Sequence, residues 1–325
     1  MPDLSPSRKP PRRFWLFAPY VAVLAAAVAW SLAWLVLSQG LAHRLDDTAR
    51  RLRGQGWTVS WTARHVDGYP FRLELAIDQL RLAEPSGWGL AAPQLRGEAY
   101  AYAPRRWVLA APQGLSLNRP HRGTVDVAGQ DLRASFEAHD GQAPDVALEG
   151  QSVTLTPEAG ATPLPVTACQ HMGLFMRPLP GDQAEMQLRL EAAAPTAGGL
   201  LARLNSGRPL DVVWDLTATH ASALAGRAWR PAVQAWSAAG GALHPVHGQL
   251  AGEDFTITLA ADQMGVDDQG RLQGSAKLNL DHAGAAPARL GPGAALASLF
   301  KAKLDLHDGG LWLGPFRIGA APKVY

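Results

Sequence analysis

The closest pair of histidines in the chain is His244 and His247, three residues apart. Imidazoles at short spacing bind a transition metal when further donors complete the coordination set. Pro245 stands between them and excludes the helix that would present both rings on one face. The next carboxylates, Glu253 and Asp254, lie further along the chain, so the pair is expected in a solvated loop. Cys169 is the sole cysteine. Its neighbours Thr167, Ala168 and Gln170 offer no cation to lower a thiol pKa, and it reads as a small core residue. Asp46-Asp47 and Asp267-Asp268 are adjacent carboxylates whose side chains diverge, so neither is the shared-proton pair of an acid–base catalyst. Gly291-Pro-Gly293 lacks the preceding strand and third glycine of a phosphate-binding loop and reads as a helix start. No nucleophile elbow, Walker loop, dinucleotide fingerprint, zincin motif or calcium loop occurs. The expectation is a non-enzyme with no catalytic, cofactor-binding or metal-binding residue.

What the sequence does supply is apolar surface. Trp57, Trp61, Trp88, Trp107, Trp214, Trp229, Trp236 and Trp312 lie in the body of the chain. As core residues they would only stabilise it. Along one concave sheet face they would hold an acyl chain, since ligand sites are commonly concave and apolar. Charge removes a competing class. Of 30 basic and 28 acidic side chains, Arg8, Lys9, Arg12, Arg13 and Asp3 fall in the first 40 residues. The near-neutral remainder lacks the basic field of a nucleic-acid binder.

The elements that would position such a surface begin with an anchor. No charged side chain occurs from Phe14 to Ala42. The apolar core, residues 14–37, spans about 36 Å as a helix at about 1.5 Å per residue, enough for a hydrocarbon layer of about 30 Å. A cleaved signal peptide would have a shorter apolar region, so this is a retained transmembrane helix. Trp15, Tyr20, Trp30 and Trp34 are candidate interfacial residues. Residues 1–13 form a basic tail, expected on the cytoplasmic side, although Arg44, Arg50, Arg51 and Arg53 follow the helix. Leu41, Leu45, Ala49 and Leu52 then mark an amphipathic stalk helix over 41–56, with Gly54 and Gly56 as stop signals.

From Trp57 to the end at 325 the period changes from helical to alternating. Phe71, Leu73, Leu75 and Ile77 share one face of a strand, and the phase slips at Asp78-Gln79, which predicts a bulge. Further strands are expected at 57–61, 108–117, 124–136, 146–156, 186–190, 210–219, 255–261, 271–280 and 311–318, separated by turn-forming residues. Helical spacing appears at Leu224–Ala238 and Ala294–Leu304, which read as packing helices. The fold class is mainly β with a few helices (α+β): an anchor, a stalk, then a large, curved antiparallel sheet.

The run Asp67-Gly68-Tyr69-Pro70-Phe71-Arg72-Leu73, placed after an anchor and stalk, resembles the signature of a bacterial envelope family, domain of unknown function 2125. Trp88-Gly-Leu-Ala-Ala-Pro93, Trp107, Ala238-Ala-Gly-Gly241 and the closing run through Gly310 and Gly314 are similar to its other blocks. The resemblance implies structural roles for Gly68, Tyr69, Pro70, Phe71, Trp88, Trp107, Gly310 and Gly314. A looser resemblance of architecture links the chain to AsmA-like envelope proteins, implicated in moving lipids along a hydrophobic groove. The expected function is a single-pass protein of the inner membrane with its N-terminus cytoplasmic and its body in the periplasm. Its expected partners are membrane lipids, with a lipid or other hydrophobic ligand in a sheet-lined groove. The alternative is an envelope scaffold with no small-molecule ligand.

Overall fold

The computed structural model describes residues 14–139, 143–253, 255–281 and 302–325. The basic tail, Asp254, Gly291-Pro-Gly293 and most of the expected helix Ala294–Leu304 lie outside the described residues. Anchor and stalk form one uninterrupted helix, α1 (Phe14–Gly54). No break separates them, because Gly40 costs a helix only about 1 kcal/mol and Ser38 returns its hydroxyl to the Leu35 carbonyl at 3.0 Å. The helix stops where expected. Gly56 takes φ +86°, and the Trp57 N–H donates to the Leu52 carbonyl at 3.0 Å.

Eighteen strands among the described residues form one antiparallel sheet. The first nine are β1 (Thr58–Ser60), β2 (Ala63–Asp67), β3 (Arg72–Ala83), β4 (Gly89–Tyr100), β5 (Ala103–Ala110), β6 (Leu115–Arg119), β7 (Gly123–Glu137), β8 (Asp145–Pro157) and β9 (Val166–Leu179). The others are β10 (Gln183–Pro195), β11 (Leu210–Thr219), β12 (Leu243–Ala251), β13 (Thr256–Ala261), β14 (Met264–Val266), β15 (Leu272–Asp281), β16 (Ala302–His307), β17 (Gly310–Leu313) and β18 (Phe316–Ala320). Strands consecutive in the chain pair with each other except β1 with β2, β5 with β6 and β13 with β14, so the sheet is a long meander. At three places two short strands share one position: β1 and β2 against β3, β5 and β6 between β4 and β7, β13 and β14 between β12 and β15.

Several expected elements are corrected. The strand 108–117 divides into β5 and β6 at Pro112-Gln113-Gly114. The strand 311–318 is the hairpin β17–β18, turning at Gly314 with φ +58°. Leu224–Ala238 is a 3-10 turn (Ala221–Leu224) and a helix, α3 (Trp229–Ala238), parted at Gly226 with φ +72°. Ala302–Leu304 belongs to β16 rather than a helix. The His244–His247 loop is the start of β12. A five-residue helix, α2 (Leu200–Leu204), precedes β11.

The expected bulge at Gln79 proves to be one point on a crease. Gln79 takes φ +52°, yet Asp78 pairs with Gln94 and Leu80 with Ala92, so the register is unchanged. Gln79 faces Pro93, which has no N–H to give the ladder. The buried phase slips together in both strands, from Leu75 and Gly97 to Leu80 and Ala92. On one side the crease passes through the gap between β1 and β2. On the other it passes through the gap between β5 and β6, then Asp131 (φ +51°) in β7, Ser152 (φ +48°) in β8 and Ala192 (φ +48°) in β10. Left-handed backbone at a non-glycine residue costs about 1–2 kcal/mol, so packing must enforce it. The enforcing residues are adjacent: Leu132, Val153, Cys169 and Ala193 are all buried and share one core cluster with Val166, Leu210 and Val212. The N–H of Ala192, freed from the ladder, donates to Asp211 at 2.8 Å.

A second contact ties distant parts of the sheet. The Trp229 N–H at the start of α3 donates to the Glu84 carboxylate, in the β3–β4 turn, at 2.8 Å. The contact joins the β3–β4 turn to the segment between β11 and β12, seven strand positions away along the sheet.

Candidate functional site

Residues directly opposite in an antiparallel sheet point to the same face. Following the register from β2 to β16 gives one continuous row: Val66, Leu75, Gly97, Leu109, Ala134, Leu148, Leu174, Leu188, Trp214, Gly248, Leu259, Leu278 and Ala302. No member is polar. A parallel row, Trp107, Phe136, Val146, Met176, Met186, Leu216, Val246 and Ala261, runs beside it from β5 to β13. The opposite face carries Glu98, Ser135, Gln187, Asp215, His247 and Lys277 at neighbouring positions. One face of the sheet is thus apolar across thirteen strand positions, and the other is mixed, with Val108, Ala147, Phe175 and Ala260 in the same row as the polar residues.

The apolar face is only half covered. In the longer row only Leu75, Gly97 and Gly248 are buried. Leu148 is 36% exposed, and Phe136 and Met176 beside it are 38% and 37% exposed. The two glycines lie under cross-strand aromatics. A methyl group on Gly248 would meet the Trp214 ring at 2.8 Å, and one on Gly97 would meet Leu109 at 2.9 Å and Trp107 at 3.5 Å. These glycines let indole rings lie flat against the backbone, which keeps the row shallow and smooth.

The tryptophans divide accordingly. Trp107 and Trp214 line the apolar face, Trp236 on the covered side of α3 is 3% exposed, and Trp229 at its start is 39% exposed. Trp57, Trp61, Trp88 and Trp312 are half-buried. A core role for most of them, the simpler expectation, holds fully only for Trp236.

The family-motif residues separate into distinct places. Gly68, Tyr69, Pro70 and Phe71 form the β2–β3 turn, Gly68 at φ +98°, and this turn docks on α1. Trp30 Nε1 donates to the Pro70 carbonyl at 2.8 Å, Trp34 Nε1 donates to the Arg72 carbonyl at 2.8 Å, and the Ser31 and Tyr69 hydroxyls are bonded at 2.8 Å. The Trp34 and Tyr69 rings meet edge to face at 5.4 Å. Further along α1, Arg64 grips Asp46 at 2.6 Å and the Ala42 carbonyl at 2.9 Å, while Arg53 and Arg64 flank the Trp61 ring. Trp88 lies at the opposite end of β3, where its carbonyl accepts from the Glu84 N–H at 2.8 Å. Gly310 and Gly314 belong to the far edge of the sheet. Of the motif residues, Tyr69 and Pro70 make the contacts to the anchor. The periodicity of α1 could have signalled that contact: Ser31, Trp34, Ser38, Leu41, Leu45, Ala49 and Leu52 form one covered stripe that starts inside the apolar run.

The polar groups considered for chemistry have structural partners. His244 donates from Nδ1 to the Asp262 carbonyl, and Glu253 pairs with Arg208. Asp267 Oδ1 accepts from the N–H groups of Gln269 and Arg271 at 2.9 and 2.8 Å, closing a turn. Burial pushes the Cys169 thiol above its ordinary pKa, which disfavours the thiolate. Among the described residues, no three His, Cys, Asp or Glu side chains converge as a metal site. A shallow depression of about 520 Å³ on the mixed face is edged by Arg106, Glu137, Asp145, Arg177 and Glu185. Two cross-strand ion pairs occupy its edge: Arg106 with Glu137 at 2.7 Å, and Arg177 with Glu185.

Comparison with known proteins gives one finding. The model of a family described as an uncharacterized protein conserved in bacteria, DUF2125, matches residues 34–322. No curated protein and no solved structure matches the chain.

Proposed function

The chain belongs to the DUF2125 family, and from that premise we propose that it is a single-pass protein of the bacterial cytoplasmic membrane that binds or transfers lipid. α1 crosses the membrane, the basic tail stays in the cytoplasm, and the sheet stands in the periplasm. The observation that carries the reading is the thirteen-position apolar row, half exposed and continuous across the sheet. Acyl chains laid on it would remove apolar surface from water at roughly 25 cal/mol per Å². The row carries no polar group to fix a headgroup, which favours recognition of the chain over recognition of the head. A non-enzymatic role accords with the structural partners found for the candidate polar groups.

The test uses the full chain purified in detergent from bacteria fed a diazirine-bearing fatty acid. Cross-linked phospholipid peptides from β7–β10 are expected, and Leu148→Asp with Leu174→Asp should abolish them while leaving the circular dichroism unchanged. Cross-links absent from those strands in the wild-type chain would overturn the reading. The depression on the mixed face supports a second reading, a docking surface for a protein partner. A stable envelope complex lost on charge reversal at Arg106, without effect on lipid, would favour it.

A further inference from the structure

The helix is the only described segment long and apolar enough to cross a membrane. From Tyr20 to Trp30 every residue is exposed, and the covered stripe begins at Ser31. Phe14–Ala29 reaches about 24 Å at about 1.5 Å per residue, short of a hydrocarbon layer of about 30 Å. Crossing the layer requires Trp30, Ser31 and the residues just beyond them. Those are the residues that hold the β2–β3 turn.

The chemistry of that end of the sheet agrees. Tyr69 and Phe71 in the β2–β3 turn are 57% and 63% exposed, and Tyr100 and Tyr102 at the β4–β5 turn are 48% and 68% exposed. The two turns are joined, since the Ala101 N–H donates to the Phe71 carbonyl at 2.9 Å. Tyr100 and Tyr102 stack at 5.0 Å, and the Arg72 guanidinium, 5.9 Å from the Tyr100 ring, pairs with Glu98 at 3.4 Å. Four exposed aromatics on two joined turns would be a liability in water. At a bilayer surface, tyrosine is a favoured residue, its ring in the headgroup layer and its hydroxyl hydrated.

We propose that the β2–β3 and β4–β5 turns are immersed in the membrane interface beside α1, as a second contact between the sheet and the bilayer. This rests on the reading that α1 spans the membrane, and it gives the lipid-binding face a physical entrance. Leu75, on the apolar row, is about 13 Å along β3 from Phe71 at about 3.3 Å per residue. An acyl chain leaving the outer leaflet beside the turns reaches the row without crossing bulk water.

The test places a nitroxide label at Phe71→Cys or Tyr102→Cys in full-length Cys169→Ala protein, reconstituted in nanodiscs of phosphatidylethanolamine and phosphatidylglycerol. Labels at Val28→Cys and Arg122→Cys mark the membrane span and the aqueous end of the sheet. Collision rates with oxygen and with a water-soluble nickel chelate give the depth of each. At Phe71 and Tyr102 chelate collisions are expected several-fold below those at Arg122, with oxygen collisions raised. Turn labels as chelate-accessible as Arg122, with Val28 shielded, would overturn immersion and leave the spanning helix intact. A chelate-accessible Val28 would overturn the spanning reading and this one with it. Should a label at Phe71 unseat its turn from Trp30 and Trp34, the Tyr102 site on the other turn carries the same decision.

Discussion

Cys169 shows how burial decides the chemistry of a single residue. It is 4% exposed within the cluster that enforces the crease, and desolvation raises its thiol pKa. The thiolate therefore belongs to the unfolded chain. The stability this contributes is complete below the unfolded thiol pKa of about 8.5 and is lost as pH rises through the folded value. Alkylation by iodoacetamide at pH 8 should be slow in the native protein and fast in urea, measured by mass spectrometry. Leu132, in the same cluster, fills space beside the left-handed Asp131. Leu132→Ala should cost about 2–5 kcal/mol in urea unfolding, with an unchanged slope if the fold persists. The polar residues that first suggest chemistry hold turns and strand edges: His244 through the Asp262 carbonyl, Asp267 through its own loop.

At the scale of elements, α1 and the strands are built by opposite logics. From Pro19 to Trp30 every residue of the helix is exposed, and a covered stripe begins at Ser31. The strands keep one face apolar, and where two long aromatics would crowd that face a glycine takes the partner position. Trp214 over Gly248 is the clearest case. Gly248→Val should displace the ring, cost about 1–3 kcal/mol by overpacking, and change the tryptophan emission of the folded protein. An unaltered spectrum with wild-type stability would show that the ring does not depend on the glycine. The crease acts at this scale too. Between β3 and β4 and between β8 and β9 matched residues leave the ladder together and the register survives, while around Asp131 and Ala192 the register against β8 and β11 shifts.

For the whole molecule, the sheet is held at two places far apart in sequence. One is the β2–β3 turn on α1, the other the β3–β4 turn on α3, where Glu84 accepts from Trp229. Glu84→Ala leaves the first turn of α3 without that acceptor. The expected result is faster hydrogen exchange at the Trp229 amide and a stability loss of about 1 kcal/mol, with α1 unaffected. If exchange rises throughout the sheet, the contact supports the whole curl rather than one end of it. The amphipathic character of the sheet belongs to this scale as well, since thirteen strands each contribute one residue to a row that exists only when all are in register.

Part of this was legible in the residues alone. An apolar run free of charge from Phe14 to Ala42 makes a helix in a nonpolar layer, and period-two alternation makes strands, because both depend on local backbone geometry and on which side chains avoid water. Gly56, read as a stop, takes positive φ, whereas Gly226 and Gly314 lie inside spans read as one helix and one strand and break them. The phase slip at Gln79 was visible, but its meaning was not: a bulge adds a residue to one strand, whereas here Pro93 answers it and the register holds. That distinction needs both strands. The union of anchor and stalk, the docking of Gly68–Phe71 on Trp30 and Trp34, and the continuity of the apolar row were decided by tertiary structure. The physical reason is the same in each case. Local sequence sets how each segment folds and which of its faces is apolar, while contacts between segments tens of residues apart are set by packing and register, to which every strand contributes.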